Sequence, residues 1–246
     1  MSFRRTFATA GRVLRQLSHD PRTLLMLFVV PPILMTILKY VFEGQPKVFE
    51  NMAPMYLGVF PMIMMFMVTS IVTLRERSGG TLDRLMTMPI SKLDFIMGYA
   101  IAFSILGFLQ ALVAATIMLG PLGVTVAGGV VPTIIAAVLA AFLGTALGLF
   151  TSAFARSEFQ AVQFMPAFIF PQLLICGIFI ARDQMSDILN WLSNIMPLTY
   201  SVDAMKQVTL YSNWTNDLTW DLVTVALFAI AALILGSITI RRQEKS

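Results

Sequence analysis

The feature that most constrains this chain is a set of apolar runs, each long enough to cross a bilayer. They fall at about 24–42, 55–74, 95–119, 130–154, 162–181 and 218–240. Roughly 20 apolar residues in a helix span a hydrocarbon core of about 30 Å. Lipid offers no partner to a bare peptide group, so such a run crosses as a helix that satisfies its own backbone. A soluble reading fails on surface area. With 57% hydrophobic and only 12% charged residues in 246, a water-soluble domain would expose large apolar patches. The expectation is an all-α membrane protein with six transmembrane helices. The first run begins near Leu24 with no small-residue cleavage site after it, and reads as a span rather than a signal. With one cysteine, Cys176, the chain has no intrachain disulfide.

Orientation follows from the basic residues. Arg4, Arg5, Arg12, Arg15 and Arg22 precede the first span, and Arg75, Arg77, Arg84 and Lys92 lie between the second and third. Arg156 follows the fourth, and Arg241, Arg242 and Lys245 follow the last. The opposite side carries only Lys47, Arg182 and Lys206, with Lys39 at the end of the first span, where its stem can snorkel to the interface. This asymmetry predicts a multi-pass protein of the cytoplasmic (inner) membrane with both termini in the cytoplasm. It also makes the basic charge a topology signal rather than a nucleic-acid footprint.

Between the spans the sequence is patterned. Phe3, Phe7, Ala10, Leu14 and Leu17 recur at helical spacing, with the arginines mostly off that face. Residues 1–22 are therefore expected to form an amphipathic helix in the cytoplasmic interface, attracted by anionic headgroups. Gly120-Pro121-Leu122-Gly123 and Gly128-Gly129 mark a short turn between the third and fourth spans. Ala136, Ala140, Gly144 and Gly148 form a small-residue stripe that lets a neighbouring helix approach closely within the subunit. Residues 182–217 are amphipathic, with Trp191 and Trp214 as headgroup anchors, and predict short outer helices. The run before them can turn back in the outer leaflet at Cys176-Gly177-Ile178-Phe179.

The segment 75–94 is the most informative. Gly79 and Gly80 break the helix continuing from the second span. Thr81 can cap a new one, Asp83 suits its positive end, Leu82, Leu85 and Met86 give it an apolar strip, and Met88-Pro89 ends it. A short projecting helix with an apolar strip fits a groove on another protein.

The run Glu76…Gly80-Thr81-Leu82-Asp83-Arg84-Leu85…Pro89 resembles the cytoplasmic-loop signature of ABC type-2 exporter permeases. Met196-Pro197-Leu198-Thr199-Tyr200-Ser201-Val202-Asp203-Ala204 resembles that family's outer motif. Gly177-Ile178-Phe179 and Met185 sit between them, where the family has a glycine segment and a loop. Within the family the chain is most similar to daunorubicin-resistance-type permeases. The resemblance implies a single transmembrane domain over 1–246, with a coupling helix at 81–89 seated on an ATP-binding subunit and an outer hairpin over 182–217. It implies that Glu76 passes on movement from that subunit, and that Pro197, Leu198, Thr199, Tyr200 and Asp203 form the outer motif. It further implies two permeases working with two ATPases, the permeases paired through their first and fifth spans. Gly79-Gly80 departs from the family's commoner acidic-Gly pair.

What is missing fits that division of labour. No G-x-x-x-x-G-K-[ST] run occurs, so ATP and Mg are expected on a partner ATPase rather than on this chain. No His, Cys and carboxylate spacing suits a metal, and no nucleophile–base pair is evident. The spans carry essentially no charge of the kind ion-driven carriers hold at mid-membrane.

The candidate path is apolar. The second span reads Pro61-Met62-Ile63-Met64-Met65-Phe66-Met67 and the fifth Phe164-Met165-Pro166-Ala167-Phe168-Ile169-Phe170-Pro171. Methionine and phenylalanine make adaptable surfaces for a small hydrophobic substrate. The same clusters equally suit packing or a lipid-facing surface. Met62, Phe66, Phe164, Pro166 and Phe170 are the candidate lining, with Gln163 and Gln172 as hydrogen-bonding groups beside the prolines. The expected activity is export of a hydrophobic or amphipathic compound, such as a drug, antibiotic or lipid-like molecule. A polysaccharide or glycolipid exporter of the same family is the alternative, and a membrane enzyme or ion-driven carrier a more distant one.

Overall fold

The computed structural model describes residues 3–79 and 92–243, and these are helices joined by short turns. They are α1 (Phe3–Ser18), α2 (Pro21–Val41), α3 (Pro46–Ser78), α4 (Lys92–Leu119), α5 (Val130–Ser152), α6 (Glu158–Ile175), α7 (Asp187–Asn194), α8 (Pro197–Leu210) and α9 (Asn216–Gln243), with a single 3-10 turn at Arg182–Gln184. The segment 80–91, and with it the expected coupling helix, lies outside the described residues.

Local chemistry sets the helix ends. Asp20 caps α2, its carboxylate accepting from the Thr23 backbone N–H at 3.2 Å and the Thr23 hydroxyl at 2.6 Å, and Pro21 supplies the first helical position. Those Thr23 bonds hold the Asp20 carboxyl below its ordinary pKa. Ser157 caps α6 by accepting from Gln160 N–H at 3.2 Å, and Thr215 caps α9 by accepting from Leu218 N–H at 3.0 Å. The expected break at Gly79 is present, its N–H closing the last turn of α3 on the Arg75 carbonyl.

α3 and α5 form the centre. The small-residue stripe of α5 lies against α3 so closely that a Cβ on Gly144 would sit 2.1 Å from the Met62 carbonyl oxygen, and one on Gly148 2.6 Å from that of Phe66. Lipid gives no hydrophobic force between spans, so van der Waals contact at this range is what binds the pair. α4, α8 and α9 pack around it, while α2 and α6 flank α3 and bury few residues.

Among the described residues, five helices are long and apolar enough to cross a membrane: α2, α3, α4, α5 and α9. This differs from the expected six at α6. That helix covers Glu158–Ile175 rather than 162–181, because Ser157 starts it early and Gly177, at φ +88°, turns the chain just past its end. Its 18 residues extend about 27 Å and include three glutamines and two prolines. It nonetheless runs from one end of the bundle to the other, with Glu158 beside Arg75 and Gln172 beside Leu198. α9 returns so that Gly236 lies against Phe150 near the end of α5. The end of α9 therefore shares the end of the bundle where α1 sits.

α1 also departs from expectation. Its buried face is Thr6, Thr9, Ala10, Val13 and Leu17, pressed on α4 at Gly98, whose added Cβ would fall 2.7 Å from Thr9. Phe3 and Phe7 remain 77% and 61% exposed. Close approach at Gly98 admits small and β-branched side chains, and the phenyl rings stay on the flank, free for lipid.

Candidate functional site

The ion pairs and side-chain bonds between helices of the described residues gather at the two ends of the bundle. At the α1 end, α3 finishes in Arg75-Glu76-Arg77, and these consecutive residues reach different helices. Successive helix positions point about 100° apart, so neighbours in sequence face different partners. Arg75 forms a two-pronged pair with Glu158 at the start of α6, Nε to Oε1 at 2.7 Å and Nη2 to Oε2 at 2.9 Å. Glu76 accepts from Arg12 of α1 at 3.3 and 3.4 Å, and Arg12 also donates to the Tyr99 hydroxyl of α4 at 2.7 Å. Arg77 donates to the Ser152 carbonyl at the end of α5.

Glu76 is only 4% exposed, against 34% for the Arg12 side chain. Burial alone would lower the Arg12 guanidinium pKa, but Tyr99 and Glu76 hold it above its ordinary value. The foot of α3 is thus gripped by α1, α4, α5 and α6 directly before segment 80–91.

At the other end, α8 is the hub. Its Ser201 hydroxyl donates to the Gly58 carbonyl of α3 at 3.1 Å, and its Leu198 N–H donates to Gln172 Oε1 of α6 at 3.3 Å. Tyr200 donates to the Asn194 carbonyl of α7 at 2.6 Å and its ring lies beside Phe228 of α9. Asp203 accepts from Arg182 at 2.6 Å and from Lys206 at 3.1 Å. Pro197 opens α8, Leu198 is fully buried, and the Thr199 hydroxyl is buried. Lys39 joins this end too, donating to the Leu122 carbonyl at 3.0 Å.

The profile of the ABC-2 type transporter family matches residues 4–210, which takes in both ends of the bundle. The chain belongs to the ABC-2 type transporter family. It is 27% identical over 169 residues to ABC transporter G family member 20 of Dictyostelium discoideum, covering 68% of this chain and 23% of that protein. It is 26% identical over 168 residues to the probable multidrug ABC transporter permease YbhS of Escherichia coli K12, covering 68% of this chain and 44% of that one. The inner membrane transport permease YhhJ of the same strain is 26% identical over 172 residues, 67% of this chain and 46% of that protein. The chain thus spans less than half the length of these relatives.

The expected site residues of this ABC-2 chain scatter. Glu76 is at the foot of α3; Gly80, Thr81, Leu82, Asp83, Arg84, Leu85 and Pro89 lie outside the described residues. Met62 and Phe66 do not face open space as a lining would: both are fully buried against α5, because the glycines at 144 and 148 draw that face of α3 inward. On α6, Gln163 and Phe170 are exposed, Phe164 and Pro166 are half-buried, and Gln172 holds the Phe168 carbonyl and the start of α8. They do not converge on one cavity.

Met26 of α2 and Met64 and Met67 of α3 line a groove. Val30, Val68 and Ile71 complete its walls, and Asp20, Arg22 and Arg75 stand at its mouth. Its 390 Å³ lies within the usual ~300–1,000 Å³ of small-molecule sites. The run from Met62 to Met67 contained this surface, but its sequence does not say which side meets α5. Arg12, Tyr99, Arg182 and Lys206 were also missed as partners. Sequence shows that Arg12, Arg182 and Lys206 are charged, and gives no sign of whom they meet.

Proposed function

We propose that this chain is the membrane-embedded part of an ATP-driven exporter of hydrophobic or amphipathic compounds. It sits in the cytoplasmic membrane with the α1 end of the bundle facing the cytoplasm. Two copies pair, and each seats segment 81–89 on an ATP-binding subunit that holds ATP and Mg. The observation that carries this reading is the foot of α3. The last described turn before segment 80–91 is bonded to α1, α5 and α6, and through Arg12 to Tyr99 of α4, so a push on that segment reaches all four helices together. Such a junction suits force transmission, and Glu76 sits within it at only 4% exposure.

The cargo class rests on the Met-lined groove, whose apolar walls and charged mouth fit an amphiphile. Relatives named as multidrug permeases point the same way. The test is docking. Leu82→Asp with Leu85→Asp should abolish co-purification of the ATP-binding subunit while the protein still inserts in the membrane. Undiminished co-purification would overturn the assignment of segment 81–89.

A further inference from the structure

α7 is the least embedded helix of the bundle. Ser193 is its only buried residue, while Ile188 and Trp191 are 77% and 65% exposed. Eight residues are too few for a helix to persist alone, so something must hold it in place. The attachment is polar and centres on one side chain. Arg182 donates from Nε to the Ser193 hydroxyl at 3.0 Å, from Nη2 to Asn194 Oδ1, and from Nη1 to Asp203 at 2.6 Å. Every guanidinium nitrogen has its own partner, an arrangement a single ammonium point cannot reproduce. Tyr200 adds one bond to the Asn194 carbonyl.

The same cluster reaches the end of α6. Lys206 shares Asp203, and its ammonium lies where a Cβ on Gly177 would come within 2.6 Å. Arg182 and Asp203 are each about one-fifth exposed, at 22%. Their bonds are therefore stronger than those of a free surface pair yet remain within reach of water. α7 buries almost no apolar surface, so leaving its seat costs polar bonds and little hydrophobic contact. α8 beside it buries Leu198, Val202, Met205 and Val208 and has no such freedom.

We propose that Arg182 is a latch: a positioning residue that holds α7 across the junction of α6 and α8 and releases it during transport. The release rests on the transport reading above; the holding does not. The test uses the chain in lipid nanodiscs, spin-labelled at Asp187→Cys and Asn213→Cys, two exposed positions; Cys176 is buried. With Arg182 present the label pair should give one narrow distance. Arg182→Gln should shift it longer by at least about 5 Å, half a helix width. Arg182→Lys should fall between, and Lys206→Gln, which leaves every α7 bond intact, should leave it unchanged.

If Arg182→Gln fails to fold, Ser193→Ala with Asn194→Ala and Tyr200→Phe removes all three side-chain bonds to α7 without touching the ion pair and should lengthen the distance. An unchanged distance in that variant or in Arg182→Gln, or an equal shift in Lys206→Gln, would overturn the latch. Together with the ATP-binding subunit, ATP, Mg and vanadate should drive the otherwise unsubstituted label pair to the long distance. A complex that binds nucleotide with no shift would overturn the release. Failure to form that complex at all would instead count against the transport reading.

Discussion

Removing Arg12 should cost far more than neutralising its partner, although both changes break the same ion pair. Arg12→Met takes away the two bonds to Glu76 and the one to Tyr99. It strands a carboxylate that is 4% exposed. Stranding a buried charge costs about 3–5 kcal/mol. Glu76→Gln keeps the shape and removes the charge. It leaves Arg12, at 34% exposure, able to turn to water. The loss there is that of charge-assisted hydrogen bonds, about 1.5–3 kcal/mol at most.

The difference, about 2 kcal/mol, is roughly a 30-fold change in the folded-to-unfolded ratio. The double variant should resemble Glu76→Gln alone, because no charge is left stranded. The assay is denaturant unfolding of the purified protein in lipid–detergent micelles, followed by tryptophan fluorescence. Equal losses for the two single variants, or additive losses in the double, would refute the picture of a buried carboxylate neutralised by α1.

Other consequences are quickly checked. Gly144→Ala should destabilise by about 3 kcal/mol, the top of the overpacking range, because its Cβ meets backbone rather than a movable side chain. Gly11→Ala, in α1 with nothing within 4 Å, should instead stabilise by just under ~1 kcal/mol; the same unfolding assay reads both. Single cysteines at positions 2 and 244 should react with a membrane-impermeant maleimide only in inside-out vesicles, and labelling in right-side-out cells would reverse the proposed orientation.

The crossings were largely legible because they depend on composition over 20 or so residues, a signal that no single neighbour can override. The Gly79 break and the stripe from Ala136 to Gly148 were legible because glycine acts through what it lacks, whoever the partner is. Partnership was not. Glu76 meets Arg12 across 64 positions, and Tyr99 enters from a third helix. Arg182 meets Asp203 across 21. Which face of α3 lies inward was illegible for the same reason. Met62, Met64 and Met67 read alike, and only the closeness of α5 decides that Met62 is enclosed while the other two line a groove. α6 was placed too late in the chain because its hydropathy continues through Cys176 and Ile178, whereas its backbone is ended by a left-handed glycine.

This division between firm and loose packing bears on how such a bundle can move. α3 has 33 residues, about 50 Å of helix, and it touches α2, α4, α5, α6 and α8. Its contact with α5 is backbone against small residues and has no slack, so the two shift as one body, and α1 and α4 follow through Arg12 and Tyr99. α6 is different. Its buried residues are Ala161, Ile169, Gln172 and Ile175, and its polar ties sit near its ends, Glu158 to Arg75 and Gln172 to Leu198. A helix tied near its ends, thinly packed between them and interrupted by Pro166 and Pro171, can bend where a close-packed one cannot. If displacement arrives at the foot of α3 as proposed above, α6 offers it a compliant outlet: its start would move through Arg75 while α8 holds its far end. The strain of such a cycle would then fall in α6 and in the turn at Gly177, beside the Arg182 of the proposed latch.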